Sequence, residues 1–154
     1  MNDSNYKVSM HITRGCLVVP IQIELTDEAV LGIQKAILQK VHATGVKGVI
    51  VDLSEVEIAD SVLGNTIKNI VRMTALLGAT TVITGLQPGV VASLVDLGIE
   101  FGGDIHTVLT LEDGFQVLAK LIEPLEDESL DEEQEEAGYA GENIEDHLDE
   151  EELE

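Results

Sequence analysis

The chain has 154 residues, of which 44% are apolar, so it is long and apolar enough for one domain with a hydrophobic core. Its single cysteine, Cys16, excludes an internal disulfide and is typical of a reducing, cytoplasmic environment, and its apolar runs are too short to cross a membrane. The net charge is −22, but 17 of the 30 acidic residues lie in 123–154, which leaves −5 for 1–122 and no visible basic patch, so we expect no binding to nucleic acid.

Strands and helices alternate along residues 5–123. Apolar runs and alternating patterns predict five strands, at 7–11, 16–23, 49–53, 80–84 and 106–109. Helical spacing of apolar residues predicts four helices, from Thr26 to Gly45, from about Val62 to Leu77, from Pro88 to Gly98 and from Thr110 to Ile122. This order implies an α/β domain with a largely parallel sheet, in which the first two strands could instead form an antiparallel pair at one end.

Local signals add detail to this order. Thr13-Arg14-Gly15 predicts a turn, and Pro20 indicates an edge or a bulge in the second strand because its nitrogen cannot donate to a ladder. Thr26 is expected to cap the first helix, and Thr110 with Asp113 resembles a weak capping box for the last one.

The acidic end of the chain differs from the rest. Residues 124–154 hold too little apolar surface to fold alone, so we expect a domain over 1–123 followed by a disordered acidic tail. Solubility is the simplest role for such a tail. Ile144, Leu148 and Leu153, spaced by four and five residues, also permit a short helix on a partner.

The stretch Val49–Gly64 combines a buried strand, a short loop and a helix that opens at Asp60-Ser61. The loop presents a hydroxyl at a helix N-terminus, where backbone N–H groups and the dipole favour an anion. Asp52, Glu57 and Asp60 gather near the end of this strand. Two carboxylates in a cleft can form an acid/base pair or a magnesium site, but helix capping and solvent exposure explain these residues as well.

Signals for catalysis are weak. The four histidines show no metal-ligand spacing, and we interpret Cys16 as a buried, inert thiol. The sequence has no nucleophile elbow and no Walker-type loop, and Gly85–Gly89 is better explained as a plain turn than as an anion cradle. We therefore expect no enzyme, no metal and no cofactor; a small hydrolase using Asp52 and Asp60 is the alternative from another class.

Three linked segments resemble the STAS domains, the anti-anti-sigma-factor family: Asp52–Gly64, Gly78–Pro88 and Leu94–Gly98. The resemblance covers about 6–122 and is strongest to the short, RsbS-like scaffolds of the stressosome branch. It implies a STAS-like fold whose helices pack mainly on one face of the sheet. It also implies that Ser61 accepts a phosphate, that Ser93 is a weaker candidate, and that the acidic residues around Ser61 form a kinase-docking surface.

The same resemblance implies a scaffold without chemistry of its own. Such a chain forms homodimers or large hetero-oligomers with RsbR-like paralogues, sequesters an RsbT-like serine kinase, and is reset by an RsbX-like phosphatase. The alternative is a simple anti-anti-sigma factor that binds an anti-sigma kinase directly. That branch usually has Asp-Ser-Ser-Gly where this chain has Asp60-Ser61-Val62-Leu63, which favours the stressosome branch.

Overall fold

The structure, a computed structural model, describes residues 9–22, 26–103 and 105–122. The chain divides into two units, Met1–Leu118 and Ala119–Glu154, and the packing described below concerns the first. In the described residues the elements are β1 (His11–Thr13), β2 (Cys16–Pro20), α1 (Asp27–Thr44), β3 (Gly48–Asp52), α2 (Ser61–Leu76), β4 (Thr80–Thr84), α3 (Pro88–Asp96), β5 (His106–Val108) and α4 over 111–122. The predicted acidic tail lies outside the described residues.

The strands form one mixed sheet. Its order is β1-β2-β3-β4-β5, with β1 antiparallel to β2 and the other neighbours parallel. This confirms the mostly parallel sheet and the antiparallel pair at one end. β3 is the central strand, and its first four residues are buried because both faces of the sheet are covered.

The first strands differ from prediction at two points. β1 starts at His11 instead of ending there, and Thr13 belongs to this strand because Arg14 and Gly15 alone make the turn, with φ of 54° and 74°. Two positive φ angles suit the twist of a two-residue hairpin. Pro20 lies neither on an edge strand nor in a bulge. It ends β2 opposite Asp52, beyond the residues that β1 pairs with, so its missing N–H removes no ladder bond in the described sheet.

The helices lie mainly on one face of the sheet, as expected. Residues of β2, β3 and β4 share a core with α1, α2 and α3, and this core includes Leu17, Val19, Val49, Val51, Ile83, Ile37, Ile67, Ile70 and Val90. On the opposite face, a Cβ at Gly114 of α4 would lie 3.3 Å from Ile50 Cδ1. The small residue at this position lets α4 pack close to the central strand.

Capping residues and glycines set the helix ends as the sequence predicts. The Thr26 hydroxyl accepts a hydrogen bond from the Ala29 N–H at 3.1 Å, and Gly45 ends α1 with a left-handed φ of 70°. The Thr110 hydroxyl accepts from the Asp113 N–H at 3.0 Å at the start of α4. These contacts mark the start and the end of α1 and the start of α4.

A side-chain contact joins the β1–β2 turn to α4. The Arg14 guanidinium lies 3.1 Å from a Glu112 carboxylate oxygen and 4.7 Å from the centre of the Phe115 ring. Both charged side chains are more than half exposed, so the ion pair stabilises little and the stacking on Phe115 adds to it.

Two glycines after β4 leave space for the loop 53–60, which we call the β3–α2 loop. A Cβ at Gly89 would overlap the Glu57 carbonyl oxygen, and a Cβ at Gly85 would lie 2.8 Å from Asp52 Oδ1. Gly85 also has a φ of 75°, which disfavours a side chain. The segment 85–89 thus supports the loop, a role that neither the turn nor the anion-cradle interpretation includes.

Replacing Gly89 by alanine tests this support. We expect Gly89→Ala to lower the free energy of unfolding by about 1–3 kcal/mol, because the added methyl group meets backbone instead of a movable side chain. Urea denaturation measures the change. Gly103→Ala is the matched control: nothing lies within 4 Å of a Cβ there, so the change should stay below about 1 kcal/mol. Equal effects of the two variants would contradict the tight contact at Gly89.

Candidate functional site

The β3–α2 loop is held at its start by the Asp52 carboxylate. Oδ1 accepts hydrogen bonds from the Thr84 hydroxyl at 3.1 Å and from the Ser54 N–H at 3.3 Å, and Oδ2 accepts from the Ser54 hydroxyl at 3.0 Å. Asp52 is half-buried. Both Asp52 oxygens therefore accept hydrogen bonds at the start of the loop. Within the predicted kinase-docking surface, the role of Asp52 is to stabilise the loop.

Backbone contacts and buried side chains hold the rest of the loop. The Leu53 N–H donates to the Thr84 carbonyl at 2.8 Å, and the Gln87 side-chain amide donates to the Ser54 carbonyl. Leu53, Val56 and Ala59 are buried, while Ile58 is exposed. The loop is thus attached to the β4–α3 connection along its length, so it presents its exposed residues from a supported backbone.

Asp60 alone caps helix α2. Its carboxylate Oδ1 accepts from the Leu63 N–H at 2.8 Å, and its backbone is extended, with φ −95° and ψ −178°. Ser61 is the first helical residue and is exposed. Its hydroxyl has no hydrogen-bond partner among the described residues. The sequence left open which of the two residues caps the helix. Because Asp60 does so, the Ser61 hydroxyl stays accessible at the helix N-terminus.

Ser93 is placed differently. It lies inside α3, is half-buried, and its hydroxyl donates to the Gly89 carbonyl at 2.7 Å. Ser93 is therefore less accessible than Ser61, and which serine accepts a phosphate stays a prediction.

The acidic residues of the loop have different roles. Glu57 and Asp60 are exposed, whereas Asp52 bonds within the loop. In the described part of the chain, no group of three His, Cys, Asp or Glu side chains is arranged to hold a metal ion. The exposed carboxylates of Glu55, Glu57 and Asp60 therefore give the loop a negative surface.

Cys16 opens β2 and is buried there. It is 6% exposed, and burial raises the pKa of its thiol, which keeps the thiol neutral. The prediction that Cys16 is buried is confirmed. Of the histidines, His11 and His42 are exposed and His106 is half-buried, while His147 lies outside the described residues.

Sequence reasoning missed the residues that support the loop. Thr84, Gln87, Gly85 and Gly89 all contact it, yet they lie about 30 positions away along the chain. Two glycines around Pro88 were the available signal, and they indicated a turn.

None of the described helices combines the length and the apolarity needed to span a bilayer.

Comparison with known proteins gives a consistent result. The sequence pattern of the STAS domain matches residues 7–114. A curated relative, RsbT co-antagonist protein RsbRD of Bacillus subtilis (strain 168), is 29% identical over 92 residues, which are 60% of this chain and 33% of the relative. The chain thus spans about a third of the length of the curated relative it matches.

Solved structures agree with that match. The structure of a serine-to-glutamate variant of Moorella thermoacetica RsbS has a TM-score of 0.67 and 29% identity, and the alignment covers 75% of this chain and 97% of that one. A chain of the stressosome, described as a signal integration and transduction hub, has a TM-score of 0.65 and 29% identity over 73% and 96% of the two chains. The anti-sigma factor antagonist SpoIIAA, at 18% identity and a TM-score of 0.60, shares the fold. Because the family pattern covers most of the chain and the fold agrees, the chain belongs to the STAS domain family.

Proposed function

We propose that this chain is a non-catalytic, RsbS-like scaffold of a cytoplasmic stressosome. In this role it sequesters an RsbT-like serine kinase and releases the kinase when Ser61 is phosphorylated, which regulates a stress response. The observation that carries the proposal is the accessible Ser61 hydroxyl at the start of α2, directly after the capping Asp60. The likeness to RsbS and to a stressosome chain, each at 29% identity, supports the assignment.

The geometry explains how a phosphate would act. A phosphoserine adds about −1.5 to −2 charges and three acceptor oxygens. At the first position of α2 the helix N-terminus tolerates this charge, and the Ser61 hydroxyl gives up no bond within the described residues. Phosphorylation would therefore leave the fold intact. It would add charge to a surface that already presents Glu57 and Asp60, and so weaken docking of the kinase.

The proposed partners follow from the same role. RsbR-like STAS paralogues would assemble with this chain into a large hetero-oligomer, and an RsbX-like phosphatase would remove the phosphate. The alternative is a dimeric anti-anti-sigma factor that binds an anti-sigma kinase directly. The departure from Asp-Ser-Ser-Gly at Val62-Leu63 favours the scaffold.

The size of the assembly separates these two functions. Mixing the full chain with an RsbR-like paralogue should give a particle on the megadalton scale in light scattering, because a stressosome core needs many copies of both chains. The chain without the paralogue is the control. A mixture that never exceeds a small oligomer would favour the direct anti-anti-sigma role.

The phosphate acceptor can be tested by substitution. We expect Ser61→Ala to take up no phosphate from an RsbT-like kinase, because it removes the accessible hydroxyl. Mass spectrometry of the reacted protein measures the uptake. Ser93→Ala is the matched control and should be phosphorylated at the wild-type rate, since its hydroxyl is bonded within α3. Wild-type uptake by Ser61→Ala would refute the assignment.

The switch itself requires a second substitution. Ser61→Asp places a negative charge at the same position and should weaken binding of the kinase at least about tenfold, equivalent to about 1.4 kcal/mol. Titration calorimetry gives the affinity. Ser61→Asn has the same shape without the charge and should bind much as the wild type does. If the Asp variant binds as tightly as the Asn variant, charge at this position does not control the kinase.

A further inference from the structure

An open apolar groove lies between the C-terminal ends of α1 and α2. Leu38, Gln39 and His42 of α1, Met73 and Leu76 of α2 and the C-cap residue Leu77 line it, and its volume is about 400 Å³. Leu76 is 88% exposed and Leu77 43% exposed. Neighbouring exposed leucines in a groove are typical of a protein interaction site.

Cationic side chains flank this groove on both helices. Lys35 precedes Leu38 by three residues, and Arg72 precedes Leu76 by four, so each cation lies beside an apolar residue on the same helix surface. Both cations are exposed. Within the described residues neither forms an ion pair with a carboxylate. The apolar lining therefore has a positive rim that is available to a partner.

The positive charge continues around the end of α2. Lys47 Nζ lies 3.9 Å from the position that a Cβ would take at Gly78, next to the last turn of that helix. No Asp or Glu occurs in 29–51 or in 61–95. The groove is thus locally cationic although the chain as a whole carries a net charge of −22. The net charge of −5 over 1–122 does not reveal this cationic region, because the acidic residues lie in other parts of the sequence.

We propose that this groove docks an amphipathic helix of a partner protein, with apolar side chains at three- and four-residue spacing and Asp or Glu on its flanks. The leucines and methionine of the groove would take the apolar stripe, and the cations at its rim would pair with the flanking carboxylates. Nucleic acid fits less well. Leucine and methionine side chains make up most of the lining, whereas phosphate binding needs a track of cations and single strands need aromatic stacking.

The groove is separate from the phosphorylation site. Ser61 and Leu76 are the first and last residues of α2, which puts them about 22 Å apart at a rise of about 1.5 Å per residue. Binding at the groove does not require a phosphate at Ser61. The inference therefore goes beyond the proposed function, and it stands or falls independently of the kinase.

The test uses the full chain and a designed helical peptide of about 18 residues, with Leu at the apolar spacing and Glu at the flanks. Fluorescence anisotropy of the labelled peptide gives its affinity. We expect Leu76→Glu and Arg72→Glu each to weaken binding at least about tenfold, and added salt to weaken it in the wild type. Leu109→Glu, at a leucine that is 79% exposed elsewhere, and Lys40→Glu, at an exposed lysine of α1 that does not line the groove, are the matched controls and should bind within about twofold of wild type.

Several results would overturn the proposal. Equal binding by wild type and Leu76→Glu would do so, as would equal binding of a peptide with Gln in place of every Glu. Displacement of the peptide by duplex DNA would assign the groove to nucleic acid. Self-association that Leu76→Glu abolishes would assign it to a second copy. Tighter peptide binding after joint replacement of Ile144 and Leu148 by Ser would assign it to the chain's own acidic segment.

Discussion

The close approach of the β3–α2 loop to the backbone at Gly85 and Gly89 is the contact on which the presentation of Ser61 depends. A Cβ at Gly89 would overlap a carbonyl oxygen of the loop, so only glycine permits the observed approach. With the loop in this position, Leu53 and Val56 are buried. The path from the buried strand to the helix cap is then determined, and the first residue of α2 is left at the surface.

The two proposals concern opposite ends of one helix. At the N-terminus of α2 the exposed groups are a hydroxyl and carboxylates, and toward its C-terminus they are leucines beside Arg72. Such an arrangement suits two partners with different surface chemistry. The buried Thr74 hydroxyl, 2.7 Å from that of Thr81, attaches the last turn of the helix to β4, so the C-terminal end of α2 has a fixed position on the sheet.

Elements with strong local signals could be predicted from sequence. The Val and Ile run of β3, the cap at Thr26 and the glycine after α1 each specify a structure within a few residues. β1 was misplaced because its alternation is weak and because Arg14, which is not glycine, adopts a positive φ. At the site, Asp60 and Ser61 are both good capping residues, so only the Leu63 N–H bond could assign the cap. Contacts between distant segments, such as Asp52 with Thr84, have no local signature.

The lengths of the outer strands limit how this domain associates with others. β1 and β5 form the two edges of the described sheet, and each has three residues. An edge this short offers few unpaired N–H and C=O groups to an incoming strand. Growth by continuing the sheet from one molecule into the next would therefore gain little along the described edges. Higher-order assembly is better served by side-chain contacts from helices and loops, whose geometry can close a particle of defined size instead of extending a fibre.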